Sequence, residues 1–145
     1  MPRLSISELE RLIEEHFPQA HGFSQITTLT EDTLELRLAY RDAFLRPGGT
    51  LSGPTLMTLA DTGAYYLILA TLGPELLAVT TSLNIHFMRK PQPEDVIAVA
   101  RMLKLGRQLV AVEVNMRSAS APALIAQATV TYSIPPATNR QEVGP

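Results

Sequence analysis

The residue whose type and setting most suggest chemistry is Asp61, an acid inside an apolar run. Between Leu51 and Gly73 it is the only charged side chain. An ionised carboxylate is costly to bury alone, so it needs a hydrogen-bonding partner, water or a chemical role. Two interpretations stay open on the residues alone. Asp61 is either a structural acid bonded to the backbone or to a neighbouring subunit, or a general base or nucleophile.

A glycine eight residues earlier is the second candidate group. Gly53 stands at the predicted start of a long helix, with Ser52 as the cap and Pro54 in the first turn. Free N–H groups and the positive end of the helix dipole stabilise negative charge there. The alternative is a glycine that only serves the turn. At about 1.5 Å per residue, Gly53 and Asp61 lie ~12 Å apart along the axis, too far to act on one atom from the same chain.

Basic residues and histidines complete the polar candidates. Arg89 and Lys90 follow a predicted strand, and Arg107 lies in a predicted turn; such groups either bind phosphates or are solvated surface charges. None of the histidines has a second ligand at metal spacing, so we predict no metal site. The histidines are His16, His21 and His86.

Composition limits the classes of protein that the chain can represent. Its 145 residues fit one domain, and 46% hydrophobic residues are ample for a core. The net charge of -2 gives no electrostatic reason to expect nucleic acid or an anionic membrane as partner. With no cysteine, disulfides, thiolate metal sites and a cysteine nucleophile are excluded. The start of the chain lacks a signal-peptide pattern, and we expect a cytoplasmic location.

The apolar run around Asp61 is long enough to span a bilayer, which makes a membrane helix the first alternative to test. An aspartate near the middle would cost about 2.5 to 3.5 kcal/mol on insertion scales. Thr, Ser, Gly and Pro dilute the rest, and no Lys/Arg cluster flanks the segment closely. We therefore predict a buried helix of a soluble domain and no membrane partner.

The order of elements predicts the fold class. Ser5 or Ser7 can cap a first helix that runs to about His16. Two strands, the long helix from about residue 53 to 72, and four more strands follow, and short connections predict antiparallel neighbours. The simplest packing is α+β, a curved antiparallel sheet wrapped around a long central α-helix. The predicted strands cover residues 23–29, 34–40, 77–88, 96–105, 109–118 and 124–134.

Four segments carry a resemblance to a known family. The stretch from Gly48 to Asp61, GGTLSGPTLMTLAD, resembles the signature of the PaaI-like (phenylacetate-pathway type) hotdog-fold acyl-CoA thioesterases. Where that family has His-Gly-Gly, this chain has Ser52-Gly53-Pro54, and its frequent upstream Asn has no match at Arg46. The other similar segments are Leu83–Pro91, Lys104–Arg107 and Ala128–Tyr132, so the likeness spans roughly residues 20–135.

The resemblance implies one hotdog domain over residues 21–135, with an N-terminal helix of the same domain in residues 1–20 and a flexible tail in 136–145. It implies hydrolysis of acyl-coenzyme A to free acid and CoA, with water activated by Asp61 and the Gly53 N–H as oxyanion donor. Thr80 and Thr81 open the strand after the helix, where relatives often hold a Ser or Thr hydroxyl near the attacking water; the alternative is an ordinary strand position. The implied substrate-binding residues are Ser52, Tyr65, Arg89, Lys90 and Arg107.

The same resemblance implies partners. No cofactor is expected, because coenzyme A is part of the substrate. The family's sites are shared between two subunits, which implies a homodimer or homotetramer with the site at the interface. The segment from Leu83 to Met88 is then an edge strand that pairs two subunits, since an exposed apolar edge would otherwise aggregate.

Two other functions remain as alternatives. The first is a non-catalytic protein that binds or senses acyl-CoA, favoured by the missing His and Asn of the family motif. The second is a hotdog hydratase or dehydratase, whose site needs a His paired with an acid. His86 is the only histidine inside the predicted core region.

Overall fold

A long helix and a six-stranded antiparallel sheet form the fold of this computed structural model, which describes residues 2–20, 22–74 and 77–136. The helices are α1 (Ile6–His16) and α2 (Gly53–Leu72). The large sheet contains β1 (Gln25–Leu29), β2 (Thr33–Leu38), β5 (Val79–Phe87), β6 (Val96–Leu105), β7 (Leu109–Ser118) and β8 (Leu124–Ser133). A small hairpin pairs β3 (Leu45–Arg46) with β4 (Thr50–Leu51), and 3-10 turns cover Pro18–Ala20 and Asp42–Phe44.

The two helices begin and end as their sequences dictate. Ser5 and Glu8 form a reciprocal capping box at the start of α1. Ser52 caps α2, and its hydroxyl accepts the N–H of Thr55 at 3.3 Å. Gly73 ends α2 with φ +92°, a conformation that glycine adopts without strain. The predicted boundaries of both helices are confirmed.

The sheet wraps α2, which is apolar on nearly every face. Residues 63–70 of this helix are all buried. Alternate residues of β7 point inward and are fully buried, and β2 shows the same alternation. Because a helix this apolar must be covered on all sides, the curved sheet is its natural partner. This is the predicted hotdog architecture. No helix in the described parts of the chain is long and apolar enough to cross a membrane.

The position of β5 departs from the prediction of neighbouring strands. The sheet order is β1-β2-β6-β7-β8-β5, so β5 pairs with β8 and not with β6, its successor along the chain. Both sides of β6 are taken by β2 and β7, so β5 must join an edge of the sheet, and it takes the free side of β8. The eight residues 88–95 can extend to roughly 26 Å and span the intervening strands, which lie ~4.8 Å apart.

β5 is an edge strand, as predicted for the segment from Leu83 to Met88. Its apolar side chains are unusually exposed, with Val79 at 59% and Phe87 at 53% of their full accessibility. The neighbouring Leu77 and Met88 are exposed too. An unpaired edge of this kind is a ready template for a further strand.

Two predictions made from the sequence lie wholly or mainly outside the described residues. They are the prediction that His21 binds no metal and the prediction of a flexible tail, of which only residue 136 is described.

Candidate active site

Asp61 lies in the middle of α2 and accepts two hydrogen bonds from the sheet. The Thr80 hydroxyl donates to its Oδ1 at 2.8 Å, and the Tyr132 hydroxyl donates to the same oxygen at 2.7 Å. Tyr132 also reaches the backbone carbonyl of Asp61 at 3.3 Å. Among the described residues, no group donates to Oδ2 and no cation pairs with this carboxylate. One oxygen is therefore held and the other is left available.

A β-bulge aims Thr80 at the helix. Thr80 pairs with Tyr132, and Ser82 pairs with Thr131, so Thr81 is an extra residue in β5. Leu83 and the alternate residues after it face inward, and unbroken alternation would turn Thr80 outward. The inserted residue reverses the phase and puts the Thr80 side chain on the inner face beside that of Tyr132. The prediction of a hydroxyl at residue 80 near Asp61 thus depends on a bulge.

Burial keeps the tyrosines around Asp61 protonated. Desolvation is the main cause that raises the pKa of Tyr132, and the nearby Asp61 carboxylate adds to it. Burial also raises the pKa of Tyr65, and it raises that of Tyr66 to about 12. Since a protonated phenol is a hydrogen-bond donor, Tyr132 can donate to Asp61 throughout the neutral pH range.

An apolar cavity of about 420 Å³ opens beside Asp61, and a second of about 380 Å³ shares Asp61, Phe17, Tyr65 and Tyr132 with it. The N-terminal segment forms one wall of the larger cavity. Phe17 packs edge-on against Tyr65, with centroids 6.0 Å apart. A mostly apolar cavity with one carboxylate suits an apolar group attached to a polar reacting centre. The larger cavity is lined by Phe17, Gln19, Ala20, Phe23, Met57, Thr58, Asp61, Thr62, Tyr65, Tyr66, Leu83 and Tyr132.

The start of α2 holds one free donor among the described residues. The Thr55 N–H is taken by the Ser52 hydroxyl and the Leu56 N–H by the Ser52 carbonyl, while Pro54 has no N–H. That leaves the N–H of Gly53, for which no described residue is an acceptor. Ser52, predicted to bind substrate, uses its hydroxyl to cap the helix.

Basic residues surround this end of the helix. A cavity of about 600 Å³ is lined by Gly53, Arg46, Arg89 and Lys90, without any described carboxylate. One Arg89 N–H group donates to the Leu124 carbonyl at 2.9 Å, which fixes part of the side chain. Three cations around one cavity can bind a phosphorylated group.

The structure therefore separates the predicted residues of one chain into two groups. Asp61, Thr80 and Tyr65 lie together, whereas Gly53 lies with Arg89 and Lys90 some 12 Å along α2 from Asp61. Arg107 lies outside the basic cavity. It precedes Leu109, which is in the same row of the sheet as Ser133 and Val79, at the Thr80 end.

Neither of the two described histidines, His16 and His86, pairs with Asp61. His86 is exposed on β5 and alternates with inward-facing Leu83 and Ile85, so it lies on the outer face of the sheet. A hydratase or dehydratase site needs a histidine paired with an acid, and His86 does not meet this requirement. His16 lines the smaller cavity but is half exposed, and its Nε2 lies 3.9 Å from the Glu15 carboxylate.

Three contributors to the site were missed from the sequence: Tyr132, Arg46 and the wall formed by Phe17 and its neighbours. Tyr132 has an alternation signal, because it continues the inward phase of β8 and is the only polar side chain in that phase. Nothing in the local sequence indicates that α1 leads into the cavity wall, since this depends on the docking of α1 against α2.

Comparisons with known proteins identify the family of the chain. A family model described as the thioesterase superfamily matches residues 48–124, just over half of the chain. A candidate thioesterase from Silicibacter sp. is 43% identical, with 94% of this chain and 95% of that chain covered and a TM-score of 0.87. A comparison with curated proteins gave no match.

Two further solved structures are similar. A candidate thioesterase of Ralstonia eutropha, related to phenylacetic acid degradation, is 26% identical, covers 89% of this chain and 98% of its own, and has a TM-score of 0.78. Zebra fish thioesterase superfamily member 2 is 20% identical over 91% of this chain and 99% of its own, with a TM-score of 0.80, which shows the fold alone. The chain that carries Asp61 and its two hydroxyl donors belongs to the thioesterase superfamily.

Proposed function

We propose that the protein hydrolyses acyl-coenzyme A thioesters to a free acid and CoA, in a site completed by two subunits. The observation that carries the proposal is Asp61, a carboxylate held through one oxygen in the wall of an apolar cavity. Such a carboxylate can accept a proton through its second oxygen while the acyl group occupies the apolar space.

The proposed reaction balances with these groups. Asp61 Oδ2 takes a proton from water as the water oxygen attacks the thioester carbon. The carbonyl oxygen becomes an oxyanion, and the Gly53 N–H of the partner subunit donates to it at the positive end of α2. Collapse breaks the C–S bond, and the departing CoA sulfur takes the proton held on Asp61, which returns the carboxylate to its ionised state. No cofactor takes part.

The geometry of β5 supports a shared site. Thr80, beside Asp61, and Phe87, beside Gly53, lie seven residues apart on this edge strand. A two-fold axis through the middle of β5 would place residue 80 of one chain opposite residue 87 of the other, because antiparallel strands pair head to tail. Asp61 of one subunit would then meet Gly53 and the basic cavity of the other. We propose a homodimer as the minimal unit, with a homotetramer as a further state.

The basic cavity supports coenzyme A as the thiol component. Arg46, Arg89 and Lys90 suit its phosphates, and Arg107 at the Thr80 end would approach the same site from the other subunit. We propose a cytoplasmic location, where acyl-CoA substrates are found.

The test is release of free thiol from a panel of short, medium, long and aromatic acyl-CoA substrates. We expect turnover by the wild type and none by Asp61→Ala. Light scattering after size-exclusion chromatography should give a dimer or tetramer, and a monodisperse monomer at micromolar concentration would contradict the shared site. The binding-only alternative predicts acyl-CoA affinity without thiol release for any member of the panel.

A further inference from the structure

We infer that Tyr132 is a positioning residue for Asp61, which it holds through Oδ1 so that Oδ2 alone acts as the base. This inference rests on the proposed function and adds a residue that neither the sequence motif nor the family match assigns. It is a claim about Tyr132 acting through Asp61, without contact to the reacting atoms.

The hydrogen bonds of the Tyr132 hydroxyl carry the argument. It donates to Oδ1 of Asp61 at 2.7 Å and also lies 3.3 Å from the carbonyl oxygen of the same residue. A group that reaches both the side chain and the main chain of one residue restricts how that side chain can rotate. With Thr80 also donating to Oδ1, the carboxylate has one fixed oxygen and one free oxygen.

Tyr132 is the firmer of the two donors. It is 3% exposed, lies in β8 between two paired strands, and stacks on Tyr65 with ring centroids 5.8 Å apart and planes 18° apart. Thr80 is exposed at the edge of the sheet, next to the bulge at Thr81. A donor built into the sheet interior keeps its place while an edge residue adjusts, so we assign the orientation of Asp61 mainly to Tyr132.

The charges around Asp61 are consistent with a carboxylate that is held by two uncharged hydrogen-bond donors. The described titratable groups that line the two cavities with Asp61 are Tyr132 on β8, Tyr65 and Tyr66 on α2 and His16 on α1, and no described Lys or Arg pairs with it. A cation would hold the carboxylate more strongly but would also weaken it as a base. Two hydroxyls orient the group at a smaller cost in basicity.

The first test replaces the hydroxyl and keeps the ring. In Tyr132→Phe we expect kcat to fall about 10- to 10²-fold, since a misplacement of ~1 Å can cost 10²-fold, with KM changed less than about twofold. The acid limb of the kcat profile should move to higher pH, because a carboxylate that loses a donor holds its proton more tightly. The matched control is Tyr40→Phe, which also removes a hydroxyl–carboxylate hydrogen bond, to Asp42, but lies outside both cavities beside Asp61, so kcat should stay within about twofold.

The second test asks whether Tyr132 acts through Asp61. In an Asp61→Asn background, with the base gone, adding Tyr132→Phe should leave the residual rate unchanged. A loss of the same size as in the wild-type background would mean that Tyr132 acts independently, and it would overturn the inference.

A readout without turnover separates this inference from the proposed function. Crystal structures of wild type and Tyr132→Phe should show Asp61 in one orientation in the first and rotated or in several orientations in the second. If wild type releases no thiol from any substrate, the proposed function fails while this comparison still tests the positioning.

If Tyr132→Phe does not fold, Thr80→Val at the exposed edge removes the other donor and should show a smaller kcat loss with the same pH shift. An unmoved Asp61 together with an unmoved pH profile would overturn the inference.

Discussion

Two aspartates of this protein each receive two hydrogen bonds, yet their surroundings differ in a way that predicts different roles. Asp95, before β6, uses both oxygens: Oδ1 accepts the Tyr40 backbone N–H and Oδ2 accepts Arg37 Nε, each at 2.8 Å. Asp61 accepts both of its bonds on Oδ1, and from neutral hydroxyls. Asp95 has a donor on each oxygen and is paired with a cation, whereas Asp61 keeps an oxygen without a donor among the described residues.

The difference separates a carboxylate that stabilises the fold from one that can do chemistry. The backbone N–H of Tyr40, followed by the Arg37 guanidinium, lowers the pKa of Asp95, so it stays ionised and is a weak base. A general base needs an unpaired oxygen and a place for the proton donor, and of the two aspartates it is Asp61 that lines the cavities described above. Counting donors per oxygen is more informative here than counting donors per residue.

The largest expected effect is on turnover at Asp61. Asp61→Asn keeps the shape and still accepts the hydroxyls through its amide oxygen, but it removes the basic oxygen. We expect kcat to fall about 10²- to 10⁴-fold while acyl-CoA binding and the melting temperature change little. Thiol release and calorimetric titration measure the two effects. Full activity in this variant would remove Asp61 from the mechanism.

A subunit-mixing experiment sharpens the comparison, because only Asp61 is expected to act across an interface. Gly53→Pro deletes the N–H of Gly53, although its ring would lie against Phe87, 3.4 Å from an added Cβ. In a dimer with two shared sites, equal mixing of Asp61→Asn and Gly53→Pro should restore about a quarter of wild-type activity, since half the dimers regain one site of two.

The control for the mixing experiment is each variant mixed with itself, which should stay inactive. If both variants fold and exchange subunits but the mixture remains inactive, the site is not shared in this way. Subunit exchange is followed with affinity-tagged chains.

The next largest effect is expected from replacing the basic residues, and it distinguishes residues that bind substrate from ordinary surface charges. Arg89→Ala and Arg107→Ala should raise KM by up to about tenfold with a smaller change in kcat, because remote phosphate contacts act mainly on binding. Salt should weaken binding less in these variants than in wild type. Arg101→Ala is the matched control, since this exposed residue pairs with Asp32 at 3.9 Å and lines none of the three cavities described above. Equal KM values and salt dependence in all three variants would make these residues ordinary surface charges.

The smallest effect is expected at Asp95, on stability alone. Asp95→Asn should lower the free energy of unfolding by about 1 kcal/mol at pH 7, with kcat unchanged. Because the folded pKa lies below the ordinary value of 3.8, the stabilisation is complete above that value and is lost as pH falls through the folded pKa. Urea unfolding at pH 7, 5 and 3 should show the gap between wild type and variant unchanged from pH 7 to 5 and narrower at pH 3. A constant gap would contradict an ionic role for Asp95.

Much of the fold could be predicted from the sequence, because local signals dominate it. The cap at Ser5, the uninterrupted apolar run after Ser52 and the alternation in β7 each identify an element without tertiary information. The place of β5 could not be predicted, since short connections favour neighbouring strands and only the occupied edges of β6 exclude it. Strand order is a property of the whole sheet.

The site, like the fold, has residues that local sequence signals predict and residues that depend on tertiary structure. Asp61 is conspicuous because a charge in an apolar helix is costly, and this holds in any fold. Tyr132 is 71 residues away along the chain, and its role follows only from the register of β8 with β5. The side chain of Thr80 points inward only because one residue is inserted in β5. Simple alternation along the strand would place Thr80 on the surface.

The bulge and edge of β5 have a genetic consequence if each complete site takes Asp61 from one chain and Gly53 from the other. An allele that alters only residue 61 would be partly recessive, because a mixed dimer with wild type keeps one working site. An allele that alters residues 53 and 61 together would disable both sites of every mixed dimer, since each site would contain one of its two defects. Two recessive lesions on one chain would thus combine into a dominant one, whereas the same lesions on separate chains would complement each other.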